Sequence, residues 1–475
     1  GLDLEVLKQI DALIEKGISN KQMPGGVLHL EHKEAIYQKS YGNRQLLPEI
    51  EKATKETIYD LASLTKVVAT TPAVMKLIEG GAIELDAPAQ RYLPELSGDS
   101  NKPKITVRHL LTHTSGLAAG VRRGYEWSGS KDGFALAAGE PSRGLAGLSY
   151  QYSDLNFILL GEIVARVTEM PLQEYCRKEI FLPLGMNETF FLPDPKLKGR
   201  IAPTTLLEDG SLLRGIVHDP TSRRMGGVAG HAGLFSTADD LARFARMLLN
   251  GGGGILKPET ISLMTSVQSP ANIESRRGLG FDIDSTYSSL RGELFPKGSF
   301  GHTGWTGTSM WIDPTSESFV IFLSNRNHPS GGDVIALRKD LGTLAAKATG
   351  FDFSAVKKLL PEVVPKSPRF PDVLNGIDVL ERDQFAALEG MRVGLITNQT
   401  GINRKGVTTI DLLHRSHKVD LKLLFGPEHG IRGTLDDKVE DGVDDKTKLP
   451  VVSLYAGEDR RKPKIEHLAQ VDALV

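Results

Sequence analysis

Three short runs of this chain hold residue types that can activate a nucleophile and attack a carbonyl. Leu61-Ala-Ser63-Leu-Thr-Lys66 sets a hydroxyl and an amine three positions apart, which one helical turn brings to the same face. A serine hydroxyl is a weak nucleophile until a neighbour takes its proton, and a desolvated lysine or an adjacent phenolate can do so. Tyr152-Ser-Asp154 adds a phenol and a carboxylate, and Gly301-His302-Thr303-Gly304, followed by Trp305, adds an imidazole and a second hydroxyl. The Ser-x-x-Lys spacing recurs at Ser128 to Lys131 and at Ser354 to Lys357, so context must separate the three. Ser128 falls in a Gly-rich loop and Ser354 beside a Pro-rich stretch. Ser63 alone stands before a long apolar run able to bury its base on a rigid element.

Such groups need elements to hold them. A helix is expected from about Leu64 to Ile78, where Val67, Val68, Val74, Met75 and Leu77 form the apolar stripe and Gly80 and Gly81 stop it. Further helices are expected over Leu155 to Val167 and Ala238 to Leu249, the latter with Ser236 and Thr237 as cap candidates. Gly26 to Glu31 and Ser318 to Ser324 read as short strands, so the chain up to about Gly350 is α+β.

Length and charge narrow the classes. At 475 residues the chain exceeds one ordinary core, and two domains are expected. With 57 basic against 59 acidic residues the net charge is −2, which gives no electrostatic case for a nucleic-acid partner. No apolar run reaches the roughly 18 to 20 residues of a membrane span. The chain opens on Gly1 rather than Met, so an export signal is expected to have been removed or not included. The single cysteine, Cys176, reads as a buried, inert thiol. Neither His113 nor His231 has a partner at metal-ligand spacing, both read as structural, and no metal or other cofactor is expected.

Pro361, Pro365, Pro368 and Pro371 interrupt any helix or central strand, which places a linker there and gives domains 1–352 and 372–475 around a Pro-rich 353–371. Beyond it, Arg392 to Thr397, Leu421 to Phe425, Val451 to Tyr455 and Val471 to Val475 read as strands, with a helix over Thr408 to Ser416 between the first two. This rhythm predicts βαβ units and a parallel sheet. Val471 to Val475 is expected to be a buried parallel strand, and the domain looks cut short there.

With its three ordered motifs the first part resembles the serine β-lactamase, penicillin-binding-protein and D-Ala-D-Ala carboxypeptidase superfamily, whose motifs are Ser-x-x-Lys, Tyr-x-Asn and Lys-Thr-Gly. The class C branch is nearest, through Leu110-Leu-Thr-His-Thr-Ser-Gly116, Pro183-Leu-Gly-Met186 and Gly230-His-Ala-Gly-Leu-Phe-Ser236. The resemblance implies an antiparallel sheet flanked by helices plus a helical subdomain. It implies that Ser63 is the nucleophile, that Lys66 and Tyr152 share the proton handling, and that the Ser63 and Trp305 amides form an oxyanion hole. Asp154, His302, Thr303, Gly304 and Trp305 then face a substrate that is a β-lactam, an ester or a peptidoglycan peptide. Two positions depart from the pattern: Asp154 stands where the family carries Asn, favouring Lys66 as an ammonium and Tyr152 as the base, and His302 stands where it carries Lys. Both put efficient β-lactam hydrolysis in doubt. No GxSxG elbow offers an α/β-hydrolase explanation.

After the linker, Arg392-Val-Gly-Leu-Ile-Thr-Asn-Gln-Thr-Gly401 and Phe425-Gly-Pro-Glu-His-Gly-Ile-Arg-Gly433 resemble the opening of the exo-acting β-N-acetylmuramidase family. That implies a partial, Rossmann-like α/β domain with Glu428 as a candidate general acid or base and His429 beside it. The partner expected for the whole chain is a small molecule or peptidoglycan fragment, in the bacterial periplasm or outside the cell, with the oligomeric state open. Two alternatives stand beside the hydrolase. In one, the first domain is a catalytically weak peptidoglycan-binding module. In the other, glycosidase chemistry dominates and the first domain only targets it.

Overall fold

Gly25–His32 is buried along its whole length because it lies in the middle of a sheet covered on both faces. The order of this eight-stranded sheet runs from Glu51–Lys52 through Ala35–Gln45, Gly25–His32, Ser318–Ser324, Ser309–Asp313, Phe300–Thr303 and Asp282–Asp284 to Arg276–Arg277, every pairing antiparallel. Strands from the two ends of the domain are therefore neighbours, with Val27 opposite Leu323. In this computed structural model the described residues are 1–122, 126–207, 209–356, 374–426, 431, 441–454 and 462–475. They fall in two units, Gly1–Pro368 and Arg369–Val475.

Alternating side chains divide the sheet between two cores. Leu28, Leu30, Trp311 and Phe322 pack with Ile10 and Ile14 of the first helix (Leu4–Ser19) and Leu337 and Leu341 of the last helix of the unit (Ile335–Ala348). Val27, Met310, Ile312, Ile321 and Leu323 face the larger core, shared with the helices Thr71–Glu79, Asp154–Thr168 and Ala238–Leu249. The first helix starts at Asp3, whose carboxylate accepts from the amides of Glu5 at 2.8 Å and Val6 at 3.1 Å. Thr237 caps Ala238–Leu249 by accepting from Asp240 N, while Ser236 ends the preceding strand.

The helix after Ser63 departs from expectation. Lys66–Thr70 forms a π-helical turn and a regular α-helix follows only over Thr71–Glu79. Pro72 explains the change: it has no N–H to return to the carbonyl four residues back, and its ring crowds that carbonyl, so the backbone widens.

The second unit has a five-stranded sheet in the order Gly442–Val443, Pro450–Ser453, Asp420–Gly426, Arg392–Ile396, Ala473–Leu474, with the helix Thr409–Arg415 between the first two strands in sequence. Four strands run parallel, but Gly442–Val443 is antiparallel to its neighbour, so the sheet is mixed rather than wholly parallel. The segment expected as a buried strand is also different: Ala473–Leu474 pairs only with Val393 and Gly394 at the sheet edge and is half-buried to exposed. An edge strand needs no second apolar face. Most of the Pro-rich stretch, residues 357–373, lies outside the described residues, as do Glu428, His429 and Tyr455.

Candidate active site

Ser63 sits in a turn that the surrounding polar groups lock. Ala62, just before it, adopts a left-handed conformation with φ of 46°, which L-residues hold only when neighbours enforce it. The enforcing group is Asp60, buried, whose carboxylate accepts from Ala62 N at 2.8 Å and from His218 N at 2.7 Å. Burial pushes its pKa up to about 6, with the two amide hydrogen bonds opposing. Thr65 Oγ1 donates to Ala62 O at 2.7 Å and accepts from Leu234 N at 3.1 Å, fixing the other side of the turn.

The segment after Phe300–Thr303 is stitched to this turn. Thr306 Oγ1 donates to Asp60 O at 2.7 Å and Thr308 Oγ1 to Leu61 O at 3.0 Å. Gly304 lies so close that a Cβ there would stand 2.4 Å from Leu61 O and 2.2 Å from Thr308 Oγ1, so only glycine fits. Trp305 is thereby held beside Ser63, and among the described residues neither the Ser63 nor the Trp305 amide finds an acceptor. Two free N–H groups beside a serine hydroxyl are the parts of an oxyanion hole.

Lys66 is fully buried and donates to Ser63 Oγ at 3.0 Å and to His231 O at 3.1 Å, with Asp154 Oδ1 at 2.8 Å. Its ammonium also lies 5.0 Å from the centre of the Tyr152 ring. Burial alone pulls this amine toward neutrality; the charges of Asp154 and Tyr152 and hydrogen bonds to both outweigh it and leave the pKa above its ordinary value. Lys66 is thus an ammonium at neutral pH, as the carboxylate at position 154 implied. The loop that brings His231 O to Lys66 depends on Gly230, where a Cβ would meet Phe157 O at 1.9 Å.

Tyr152 is enclosed by rings: His113 at 4.4 Å, Tyr287 at 5.4 Å and His302 at 6.0 Å between centroids. His302 is buried, donates through Nδ1 to Thr303 O at 2.7 Å, and is pushed well below its ordinary pKa by burial and by the charges of Arg277 and Lys66. It is therefore neutral, and the strand carries no positive charge at the position where lysine is usual. His113 is likewise buried and held neutral, accepting through Nδ1 from Ser153 N at 3.1 Å and Asn156 Nδ2 at 3.2 Å.

A cavity of about 780 Å³ opens on Ser63, lined by Tyr152, Asp154, Trp305, Asp219, Trp127 and Arg224 among others. Of the residues expected at the site, Ser63, Lys66, Tyr152, Asp154, Gly304 and Trp305 gather at this point. His302 stands behind Tyr152, and Thr303, on the same strand, is half-buried. Among the other two Ser-x-x-Lys runs, Ser128, Lys131 and Ser354 are exposed.

Several contributors escape a sequence reading. Asp60 and Arg277 belong to no motif. His231, read as lacking partners, in fact joins Asp154 and Asp219, with ligand atoms all within 4.8 Å of one another. That corrects the view of His231, whose Nε2 bonds Asp219 Oδ1 at 2.8 Å. The positive charge such a group of acids attracts is already supplied by the Lys66 ammonium, which contacts both Asp154 and the His231 backbone.

Comparison with known proteins identifies the family of this chain. Residues 10–344 match the Beta-lactamase family and residues 393–475 match the N-terminal part of the exo-beta-N-acetylmuramidase NamZ family. A protein of Escherichia coli K12 named "Putative D-alanyl-D-alanine carboxypeptidase" is 32% identical over 376 residues, covering 70% of this chain and 85% of that one. Among solved structures, simvastatin synthase (LovD) of Aspergillus terreus aligns with a TM-score of 0.60 at 24% identity, over 73% of this chain and 99% of its own. The octameric penicillin-binding protein homologue of Pyrococcus abyssi aligns with a TM-score of 0.58 at 24% identity, over 71% of this chain and 76% of its own. The two structures speak for the fold alone.

Proposed function

We propose, from the premise that this chain belongs to the Beta-lactamase family and is a serine hydrolase of the β-lactamase and penicillin-binding-protein superfamily, that it cleaves peptide or ester bonds of peptidoglycan fragments through an acyl-enzyme on Ser63. The observation that carries the reading is the contact of Lys66 Nζ, fully buried, with Ser63 Oγ at 3.0 Å while it is ion-paired with Asp154 at the cavity. Because Lys66 holds its proton, Tyr152 takes the role of base: as phenolate it accepts the Ser63 proton, and the ammonium beside it stabilises that anion. Oxygen of Ser63 bonds the carbonyl carbon, and the amides of Ser63 and Trp305 receive the developing negative charge. The proton passes from Tyr152 to the leaving amine or alcohol as the scissile bond breaks. Water, deprotonated by the same phenolate, then releases the acid and restores Ser63.

Peptidoglycan is favoured by the name of the 32% identical relative and by the muramidase-family match of the second domain. Both point to the bacterial periplasm or cell exterior as its location. A neutral His302 disfavours efficient β-lactam turnover. Among the described residues no helix is long and apolar enough to cross a membrane.

The test is intact-mass analysis after exposure to a fluorophosphonate and to activated esters, followed by peptide mapping. One adduct on the Ser63 peptide, lost in Ser63→Ala, is expected. Adducts at Ser128 or Ser354, or none, sink the assignment.

A further inference from the structure

The Trp305 N–H and the Gly304 carbonyl belong to one planar peptide unit, so whatever binds the oxygen also acts on the hydrogen. Gly304 O accepts two hydrogen bonds, from Gly307 N at 3.1 Å and from Arg338 Nη2 at 2.8 Å. The same nitrogen donates to Thr308 O at 2.8 Å, and Thr308 O also accepts from Gly304 N at 2.7 Å. One guanidinium nitrogen thus clamps both ends of the turn that holds Trp305 beside Ser63. The next carbonyl, Trp305 O, accepts from Arg326 Nε at 2.6 Å, and the Arg326 guanidinium lies 4.6 Å from the centre of the Trp305 ring.

Arg338 occupies an unfavourable place for a cation. It is buried in the first turn of Ile335–Ala348, where the helix dipole repels positive charge. Among the described residues its side chain donates only to the two carbonyls of this turn, and its buried Nε finds no acceptor. Burial and, after it, the Arg326 charge push its pKa down to about 9, with Asp333 opposing, so it still carries its charge at neutral pH.

The other amide beside Ser63 Oγ is backed differently. Ala62 O, in the peptide unit of the Ser63 N–H, accepts from Thr65 N at 3.0 Å and Thr65 Oγ1 at 2.7 Å, both neutral donors. A charged donor makes the stronger hydrogen bond, and hydrogen bonds in series polarise one another. Drawing electrons toward the Gly304 oxygen leaves the Trp305 hydrogen more positive.

We infer that Arg338 is a positioning residue for acyl transfer: its guanidinium polarises the peptide unit joining Gly304 to Trp305, which makes the Trp305 amide the stronger of the two donors to the oxyanion. The inference rests on Ser63 as the nucleophile and on these two amides as the oxyanion hole. No bond or proton changes hands at Arg338.

Polarising the amide and merely bracing the turn differ in their effect on the acyl carbonyl. The full chain is acylated with nitrophenyl trimethylacetate, isotope-labelled at the carbonyl carbon, whose bulk slows deacylation. The carbonyl stretch is then read by difference infrared spectroscopy, with sites counted from the nitrophenol burst so that a misfolded fraction does not enter. In the native protein the stretch should lie below that of the denatured acyl-enzyme. Arg338→Met should move it up toward the denatured value, Arg338→Gln less, and Arg338→Lys, which keeps a charged donor, least. Single-turnover acylation should slow in the same order, by about threefold to thirtyfold for Arg338→Met, less than the roughly 10² to 10³ of losing an oxyanion donor outright. Substrate affinity should stay within about twofold, since the charge acts where the oxyanion develops. A stretch in Arg338→Lys no lower than in Arg338→Gln overturns the inference whatever the rates, and leaves Arg338 as a brace. Failure of all three variants to fold overturns it too. A native stretch at the denatured value overturns the oxyanion hole and the inference while the nucleophile stands. Absence of any burst and of any adduct on Ser63 overturns the nucleophile, and the proposed function with it.

Discussion

The two units of this chain differ in whether a cation is enclosed within an ion pair. In the first, two cations are fully enclosed, Lys66 against the half-buried Asp154 at 2.8 Å and Arg277 against the buried Asp282 at 3.2 Å. In the second, Arg392 and Asp472 meet at 2.7 Å with nearly half of each side chain in water. An exposed pair is screened and contributes little, whereas a buried pair must satisfy its charges from within or leave one uncompensated. In the second unit the buried acids Asp378 and Asp411 are paired with Arg404 and Lys446, whose side chains are about half exposed, whereas in the first unit the cations Lys66 and Arg277 are themselves fully enclosed.

The largest test of that contrast is Ser63→Ala, which should lower ester turnover by about 10⁴-fold or more while leaving the thermal transition in place. Activity near the native level would relocate the chemistry and break the comparison. Tyr152→Phe should cost about 10² to 10⁴ in kcat, read from single-turnover acylation, because it removes the proton acceptor but keeps the ring cage. Asp154→Asn is next. It takes away the principal charge holding Lys66 protonated, so the alkaline limb of the kcat/KM profile should move to lower pH by about 1 to 3 units. An unmoved limb would mean that Lys66 does not titrate in the observed step.

The remaining two tests are of stability. Leu424 is fully buried in the second sheet, and Leu424→Ala should cost about 2 to 5 kcal/mol there by calorimetry. If the units are energetically separate, ester turnover stays within twofold; a parallel loss would show coupling. The smallest effect concerns Asp60. Its pKa is raised from 3.8 to about 6, so the folded state binds this proton more tightly than the unfolded chain. The stability it contributes is complete below about pH 4 and is lost as pH rises to about 6. Asp60→Asn, which cannot ionise, should lack this decline. The check is the difference between the two denaturation curves at pH 4 and pH 7.

What the sequence determined was local. Ser63 and Lys66 sit on one turn because three positions separate them, and the apolar stripe after them demanded a helix. Ala238–Leu249 and Ser318–Ser324 were legible for the same reason: periodicity and caps are written in adjacent residues. Pro72 lies inside the run expected as one helix, and its effect, a π-turn at Lys66–Thr70, depends on how packing absorbs one missing hydrogen bond. Position 154 already implied a charged Lys66, and tertiary structure supplied the contacts that hold the charge, because His231 O arrives from 165 residues away and Asp154 from another helix. It alone set Asp60 under the strained Ala62 turn, neutralised His302 by burial, and gathered Ser63, Tyr152, Asp154 and Trp305 around one cavity. Spacing along a chain fixes which groups share a turn. Desolvation and long-range charge fix what those groups do, and both exist only after the sheet has brought its first and last strands together.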